Sequence, residues 1–489
     1  MSVTTLLTFT TELMDHQARA VDKLQRVKVG ALYMDMGTGK TRTALELAVR
    51  RLQEGKKVDC VLWLCPVSVK RTIADEIDKH LDGAIYELLE TTGVKDWQAD
   101  AYIAGLESVS QSLALNFILL ELVEKRRCFV IVDESSLVKN HQAKRTRAVW
   151  RLGERAQYKL ILSGTPVTNN EQDLFSQWYF LDPRILGYTS YYSFAANHLE
   201  FDPRIPGRVV RAHNVEYLTR KMSPFVYQVR KDECLDLPQK TYSKRYCQLG
   251  GDQYWEYQYC RDHFLEIVDR IDDWYSDIST IVFRLFSILQ RVVSGKGRRW
   301  VDLFAEPREN PRVQLLLETI GDLPKDAKGI IWCKYTHEIR MLYDVLRQEG
   351  YEVVKLHGEM PLREREKALD QFRDSAEFLL ANKRCGAFGL NLQQANYAIY
   401  YSNDFSWETR SQSEDRLHRV GQTKNVHIID LVCEDTIDER IYSCLMRKER
   451  LVDSFRREIE KKKDDKEALW RWLNSDKDWA KLKRETRSA

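Results

Sequence analysis

Gly30-Ala31-Leu32-Tyr33-Met34 is an apolar run, and Asp35-Met36-Gly37-Thr38-Gly39-Lys40-Thr41 follows it without a break. Beyond Thr41, the apolar residues Leu45, Ala48, Val49 and Leu52 recur at the spacing of one helical face. Strand, glycine-rich loop and helix in that order make a seat for phosphate. Gly37 and Gly39 let backbone N–H groups come close, and the helix N-terminus adds a favourable dipole. Lys40 is then placed to reach β- and γ-phosphates, and Thr41 to ligate Mg²⁺. A strict eight-residue phosphate-loop pattern wants Gly where Met34 stands, so the reading rests on context.

A second apolar run from Cys128 ends in Asp133-Glu134. Two carboxylates at the carboxyl end of a strand lie where open α/β sheets bind ligands. Asp133 suits Mg²⁺, mostly through water, and Glu134 suits the orientation and deprotonation of an attacking water. Further strand-like runs are Cys60 to Pro66 and Lys159 to Ser163. Their alternation with helical patterns predicts crossover units on a parallel sheet. A second series starts near Pro311, with strands predicted at Gly329 to Cys333, Glu352 to Leu356, Phe378 to Ala381, Tyr397 to Tyr401 and Val426 to Val432. It ends in Gln412, Arg416, His418, Arg419, Gly421 and Gln422. Arg416 and Arg419, three apart, are expected on one face of a helix, where two guanidinium groups clamp a developing phosphate charge.

Between the two series, Phe264, Val268, Ile271, Tyr275, Ile278, Val282, Leu285, Leu289 and Val292 step by three and four. That stripe predicts long helix. It reads either as a dimerising coiled coil or as a protrusion packed on its own domain, with Asp272, Asp273, Ser276 and Asp277 marking a turn between two shorter helices. After Lys448 comes a charged tail, with Lys461 to Lys463 and the tryptophans 470, 472 and 479. It reads either as a DNA-holding segment or as a solvated helix docked on the second lobe.

Composition bounds these readings. The 489 residues carry 76 Lys+Arg against 73 Asp+Glu, a net charge of +3, which excludes a bulk polycation but permits a local basic groove. A mean hydropathy of −0.48 with 43% apolar residues fits a globular chain and no spanning helix. The ten cysteines form no Cys-x-x-Cys pair and read as buried thiols rather than metal ligands or disulfides. Met1 to Glu12 lacks the features of a signal peptide, so a cytosolic protein is expected.

Taken in order, these segments resemble the Swi/Snf family of superfamily-two helicase-like ATPases, from about Met14 to Tyr442. Leu13-Met14-Asp15-His16-Gln17 is similar to the family's adenine-reading segment, and Met36 to Thr41 to motif I. Cys65-Pro66-Val67-Ser68 is similar to motif Ia, Asp133 to Asn140 to motif II, and Leu162-Ser163-Gly164-Thr165-Pro166 to motif III. Asp173-Leu174 and Phe180-Leu181-Asp182-Pro183 are similar to the helix that follows. Gly358 with Arg365 and Phe372, Gly386 to Leu392 (motif V) and Gln412 to Thr423 (motif VI) complete the series. Motif II departs from the family: Ser136 stands where His is usual, which bears on coupling rather than on hydrolysis.

The resemblance implies two tandem RecA-like parallel-sheet lobes with a helical insertion. The expected bounds are 1–230 for the first lobe, 231–310 for a helical protrusion or linker, 311–445 for the second lobe and 446–489 for the tail. It implies ATP and Mg²⁺, with Gln17 contacting the base, Met36 to Thr41 holding the phosphates, and Gln412 acting with Arg416 and Arg419. It implies double-stranded DNA as partner, forked or branched forms included. It further implies contacts to the DNA backbone from Pro66, Ser68, Lys70, Ser163, Thr165, Lys334, Gly386, Gly389 and Asn391. The compact form resembles bacterial or viral members acting as monomers in the cytosol. Three functions stay open: a duplex translocase in replication, repair or recombination, a strand-separating or branch-migrating helicase, and a regulator of a polymerase or other protein partner. Intact Lys40, Glu134 and Arg419 favour an active motor.

Overall fold

A computed structural model of the chain describes residues 7–53, 57–90, 97–164, 171–201, 203, 209–268, 274–382 and 392–447. The chain forms two compact units, the first through Asp236 and the second from Leu237.

Seven strands build the first sheet: β1 (Val29–Met34), β2 (Cys60–Cys65), β3 (Tyr86–Leu88), β4 (Ala101–Gly105), β5 (Cys128–Val132), β6 (Tyr158–Ser163) and β7 (Val226–Val229). Their order is β7-β1-β6-β5-β2-β4-β3, and every pairing is parallel. Runs such as Cys-Val-Leu-Trp-Leu-Cys are apolar throughout because both faces of such a sheet are covered. Alternate residues supply the two faces: Leu62, Leu64, Val130 and Val132 enter one core cluster, and Val61, Trp63, Phe129 and Ile131 the other. Two helices bear on the site, α1 (Asp15–Leu24) and α2 (Lys40–Gln53), and a third, α3 (Gln172–Leu181), packs near the acidic strand end. β6 lies between β1 and β5, so the chain ends leaving these three strands share one sheet edge.

The second sheet has six parallel strands, β8 (Lys240–Cys247), β9 (Gly329–Cys333), β10 (Val353–Leu356), β11 (Phe378–Asn382), β12 (Tyr397–Tyr400) and β13 (Val426–Cys433). Their order is β8-β13-β12-β9-β11-β10. Strand β8 lies inside the 231–310 stretch expected to be helical. It forms the exposed edge of the sheet, so its Lys-Thr-Tyr-Ser-Lys-Arg-Tyr-Cys sequence is mostly polar and carries no apolar strand signal.

The described residues of the apolar stripe fall on helices α4 (Gly251–Val268) and α5 (Trp274–Val293), while Ile271 and the expected turn residues Asp272 and Asp273 lie outside the described residues. The carboxyl-terminal part of the stripe, Leu285, Leu289 and Val292, is buried with Ile437, Ile441 and Leu445 of the same unit. This part of the stripe is packed on its own unit. No described helix is long and apolar enough to cross a membrane. The tail from Lys448 on lies outside the described residues, its lysine run and tryptophans included.

Candidate active site

At the end of β1 the chain turns sharply through the phosphate loop. Asp35 anchors it: its carboxylate accepts the Lys231 N–H at 2.9 Å, and its carbonyl accepts the Thr38 hydroxyl at 2.7 Å. Gly37 and Gly39 adopt φ of 81° and 82°, the left-handed region glycine tolerates. At Gly39 a side chain is also excluded by space, because a Cβ would stand 2.0 Å from Gln17 Nε2. The Lys40 ammonium folds over the loop and donates to the carbonyls of Met34 at 2.7 Å and Asp35 at 3.2 Å. Thr41 lies in the first turn of α2, half-buried.

Helix α1 closes the loop from the other side. His16 Nε2 donates to the Thr38 carbonyl at 2.8 Å, and Gln17 Nε2 to the same oxygen at 3.2 Å. Gln17 Oε1 accepts the Met14 N–H at 3.0 Å. The carboxamide assigned to a nucleotide base thus braces the loop itself. Beside it opens a cavity of about 560 Å³ lined by Met14, His16, Arg19, Glu233, Cys234 and Asp236 among others. Its wall from residues 232 to 236 was not legible in sequence, being some 200 positions away from Gln17.

The acidic pair leaves β5 through a left-handed residue. Glu134 sits at φ 52°, ψ 59°, a left-handed backbone that a glutamate adopts only at a cost of about 1–3 kcal/mol. Its N–H donates to Asp133 Oδ1 at 2.9 Å, and the Ser136 hydroxyl donates to its Oε1 at 2.7 Å. Ser136 therefore orients the carboxylate proposed as base, a role its departure from the family's histidine did not reveal. Ser135 extends the chain of contacts by donating to Gln177 Oε1 of α3 at 2.6 Å, and Gln177 returns a bond to the Asp173 carbonyl.

Burial pushes the Asp133 carboxyl up to about 6, the Glu134 carboxylate adds to the rise, and the Lys40 ammonium opposes it. A desolvated carboxylate pair with a nearby hydroxyl is a hard oxygen donor set short of positive charge, which fits a magnesium ion. A carboxyl raised above its unfolded value costs the metal-free protein stability at neutral pH, and that cost disappears as pH falls through about 6 toward 4. Asp133→Asn should therefore raise the melting temperature of the metal-free protein at pH 7 and have a smaller effect at pH 5, read by calorimetry at both pH values.

Other residues assigned to DNA contact are placed less uniformly. Pro66 is buried at the end of β2 and Ser68 is exposed just beyond it. Lys70 turns inward, donating to the Leu89 carbonyl at 2.8 Å and pairing with Glu90 at 3.6 Å. Ser163 is fully buried, and a Cβ on its neighbour Gly164 would lie 3.6 Å from the Lys40 ammonium. Thr165, Gly386, Gly389 and Asn391 lie outside the described residues. In the second unit Lys334 donates to Gln290 Oε1 of α5 at 2.5 Å and lies 3.2 Å above the Phe405 ring.

Motif VI departs from expectation in one respect. Helix α6 (Trp407–Glu414) carries Gln412, half-buried, but ends before Arg416 and Arg419. Those two arginines lie in consecutive turns rather than on one helical face. Arg416 and Leu417 donate their N–H groups to carbonyls three residues back, which tightens the chain out of the α-helix, and Gly421 at φ 95° completes the reversal. Leu417 is fully buried and Arg416 nearly so.

What holds α6 is a buried ion cluster absent from the sequence reading. Arg410, with no exposed surface, donates from Nη1 and Nη2 to the Asp430 carboxylate at 2.6 and 2.8 Å, and from Nε to Glu414 at 2.8 Å. Its guanidinium lies 3.3 Å from the Tyr400 ring centre and also donates to Asn403 Oδ1. Glu414 in turn accepts the Tyr242 hydroxyl at 2.9 Å and the Lys240 ammonium at 3.3 Å, both from edge strand β8.

A glycine-bounded phosphate loop, an acidic strand end and an arginine-bearing turn, carried on two parallel α/β units, define the helicase-like class of nucleotide-using proteins. Residues 16–293 match the SNF2-related domain, and residues 311–421 match the helicase conserved C-terminal domain. The chain belongs to the SNF2-related family. It is similar to an uncharacterised ATP-dependent helicase of Mycoplasma pneumoniae, 26% identical over 68% of this chain and 31% of that protein. It is also similar to the snf22 subunit of the Schizosaccharomyces pombe SWI/SNF chromatin-remodelling complex, 28% identical over 64% of this chain and 20% of that one. Among solved structures it is similar to the Sulfolobus solfataricus SWI2/SNF2 ATPase core domain, 24% identical over 92% of each chain at a TM-score of 0.42. The chain spans 31% and 40% of the length of the two Mycoplasma relatives it matches.

Proposed function

We propose that this chain is a DNA-dependent ATPase that couples ATP hydrolysis to movement along double-stranded DNA. The observation that carries the reading is that the phosphate loop and the Asp133–Glu134 pair leave strand ends on the same sheet edge, with Ser136 donating to the Glu134 carboxylate. Triphosphate would draw Lys40 from the Met34 carbonyl, exchanging a neutral acceptor for a charged one. Asp133 and Thr41 would hold a magnesium ion, which would neutralise charge on the phosphates. Glu134 takes the proton of the attacking water, and Arg416 and Arg419 stabilise the charge that develops on the transferred phosphoryl group. The base occupies the cavity beside Gln17, where Asp232, Glu233 and Asp236 accept from an exocyclic amine. Family membership and the relatives' names as ATP-dependent helicases support the reading. Replication, repair or recombination at forked or branched DNA is the setting we assign.

Steady-state hydrolysis measured at one salt with no nucleic acid, blunt duplex, single strands, forks and RNA tests it. Blunt duplex should stimulate strongly, and the stimulation should fall with salt as phosphate contacts demand. Stimulation by single strands or RNA alone would replace translocation with strand separation. Stimulation by none of them would point to a protein activator.

A further inference from the structure

At the root of the protrusion, residues 295 to 303 close a tight hairpin. Lys296 and Asp302 face each other as a β-bridge and an ion pair. Gly297 N–H donates to the Val301 carbonyl at 2.9 Å, and Leu303 N–H to the Gly295 carbonyl at 3.0 Å. Within it Arg299 and Trp300 take φ of 54° and 64°, two successive left-handed residues of which neither is glycine. Such backbone is unfavourable for side-chain-bearing residues and persists only where the surroundings impose it. Its effect here is to push a tryptophan outward.

Trp300 is 56% exposed and the next residue, Val301, 60%. The Arg291 guanidinium sits 4.4 Å from the Trp300 ring centre, and His337 meets the ring edge-on, so the indole is fixed although it is largely in water. The neighbouring helix α4 adds Trp255, 70% exposed, and Tyr259 one turn on, with Arg298 3.6 Å above the Tyr259 ring. Glu256 neutralises Arg298, and Asp302 neutralises Lys296. Arg291 and Arg299 form no ion pair among the described residues. The tip is thus a rigid surface of exposed aromatic rings with net positive charge.

A partner that satisfies both features is anionic and carries flat rings of its own. Duplex DNA offers the anion but stacks its bases on one another, whereas an unpaired strand offers both. We propose that the hairpin tip binds unpaired nucleotides, with a base stacking on Trp300 and a phosphate on Arg299. The inference rests on the DNA-motor reading in taking DNA as substrate and adds to it a contact specific for single strand.

The test compares the affinity of the full chain for blunt duplex and for the same duplex bearing a single-stranded oligo-dT arm, by fluorescence anisotropy at fixed salt. The arm should tighten binding. Trp300→Ala should weaken the forked substrate by roughly 5- to 100-fold, as loss of one stacked base predicts. Blunt-duplex affinity and duplex-stimulated hydrolysis should stay within about twofold of the unaltered chain. Trp300→Phe, which keeps a ring, should retain most of the fork affinity. An unaltered chain indifferent to the arm, a variant with unchanged fork affinity, or an equal loss on fork and blunt duplex would each overturn the proposal. Failure of duplex to stimulate hydrolysis by the unaltered chain would remove the motor reading instead, and the anisotropy comparison would still decide the tip.

Discussion

Glu134→Gln should cut ATP turnover by about 10²–10⁴-fold while leaving nucleotide affinity close to that of the unaltered chain. The amide keeps the shape and accepts the Ser136 hydroxyl as the carboxylate does, but it takes no proton from water. Lys40 and the loop are untouched, so the triphosphate should still bind and remain unhydrolysed. Single-turnover hydrolysis beside equilibrium binding of a fluorescent ATP analogue measures the two effects separately. Turnover within tenfold of the unaltered chain would remove Glu134 as the base. Because Glu134 is held in a left-handed backbone, the glutamine variant keeps that strain too, so any change in melting temperature should be small.

The second large effect concerns stability. Arg410→Met should destabilise the second unit by about 3–5 kcal/mol, because it leaves the Asp430 carboxylate buried without its cation and Glu414 with Lys240 alone. Replacing the cluster together, Arg410→Met with Asp430→Leu and Glu414→Gln, should recover most of that loss, since the penalty lies in stranded charge rather than in the missing pair. Denaturant unfolding followed by tryptophan fluorescence reads both variants, and Trp332 and Trp407 lie in the affected unit. Equal destabilisation of the single and triple variants would show that packing against Tyr400, not charge, holds α6 in place.

Legibility followed burial. Strands covered on both faces, such as Cys60–Cys65 and Gly329–Cys333, announce themselves as apolar runs and fall within a residue of where the sequence places them. Strands at a sheet edge do not: Lys240–Cys247 and Tyr86–Leu88 are polar or short, and their pairing depends on partners distant in sequence. The phosphate loop and the Asp133–Glu134 pair were readable because each is a local string of residues with one chemistry. Arg410 was not. It is one of 76 basic residues, and only the fold brings Asp430, Asn403 and Tyr400 around it. The helix assigned to Arg416 and Arg419 failed for a related reason. A three-residue spacing describes a helical face only if the helix continues, and the inward turn of Leu417 ends it.

Gln17 occupies the space that any side chain at position 39 would need, and it shares the Thr38 carbonyl with His16. The first helix and the phosphate loop are therefore two handles on one lever. A ligand that shifts the loop must also pull on the start of the helix, and a grip on the helix must alter how readily the loop accepts its ligand. Reciprocity fixes the size of the two effects as equal. Whatever holds the first helix would in this way also hold the loop.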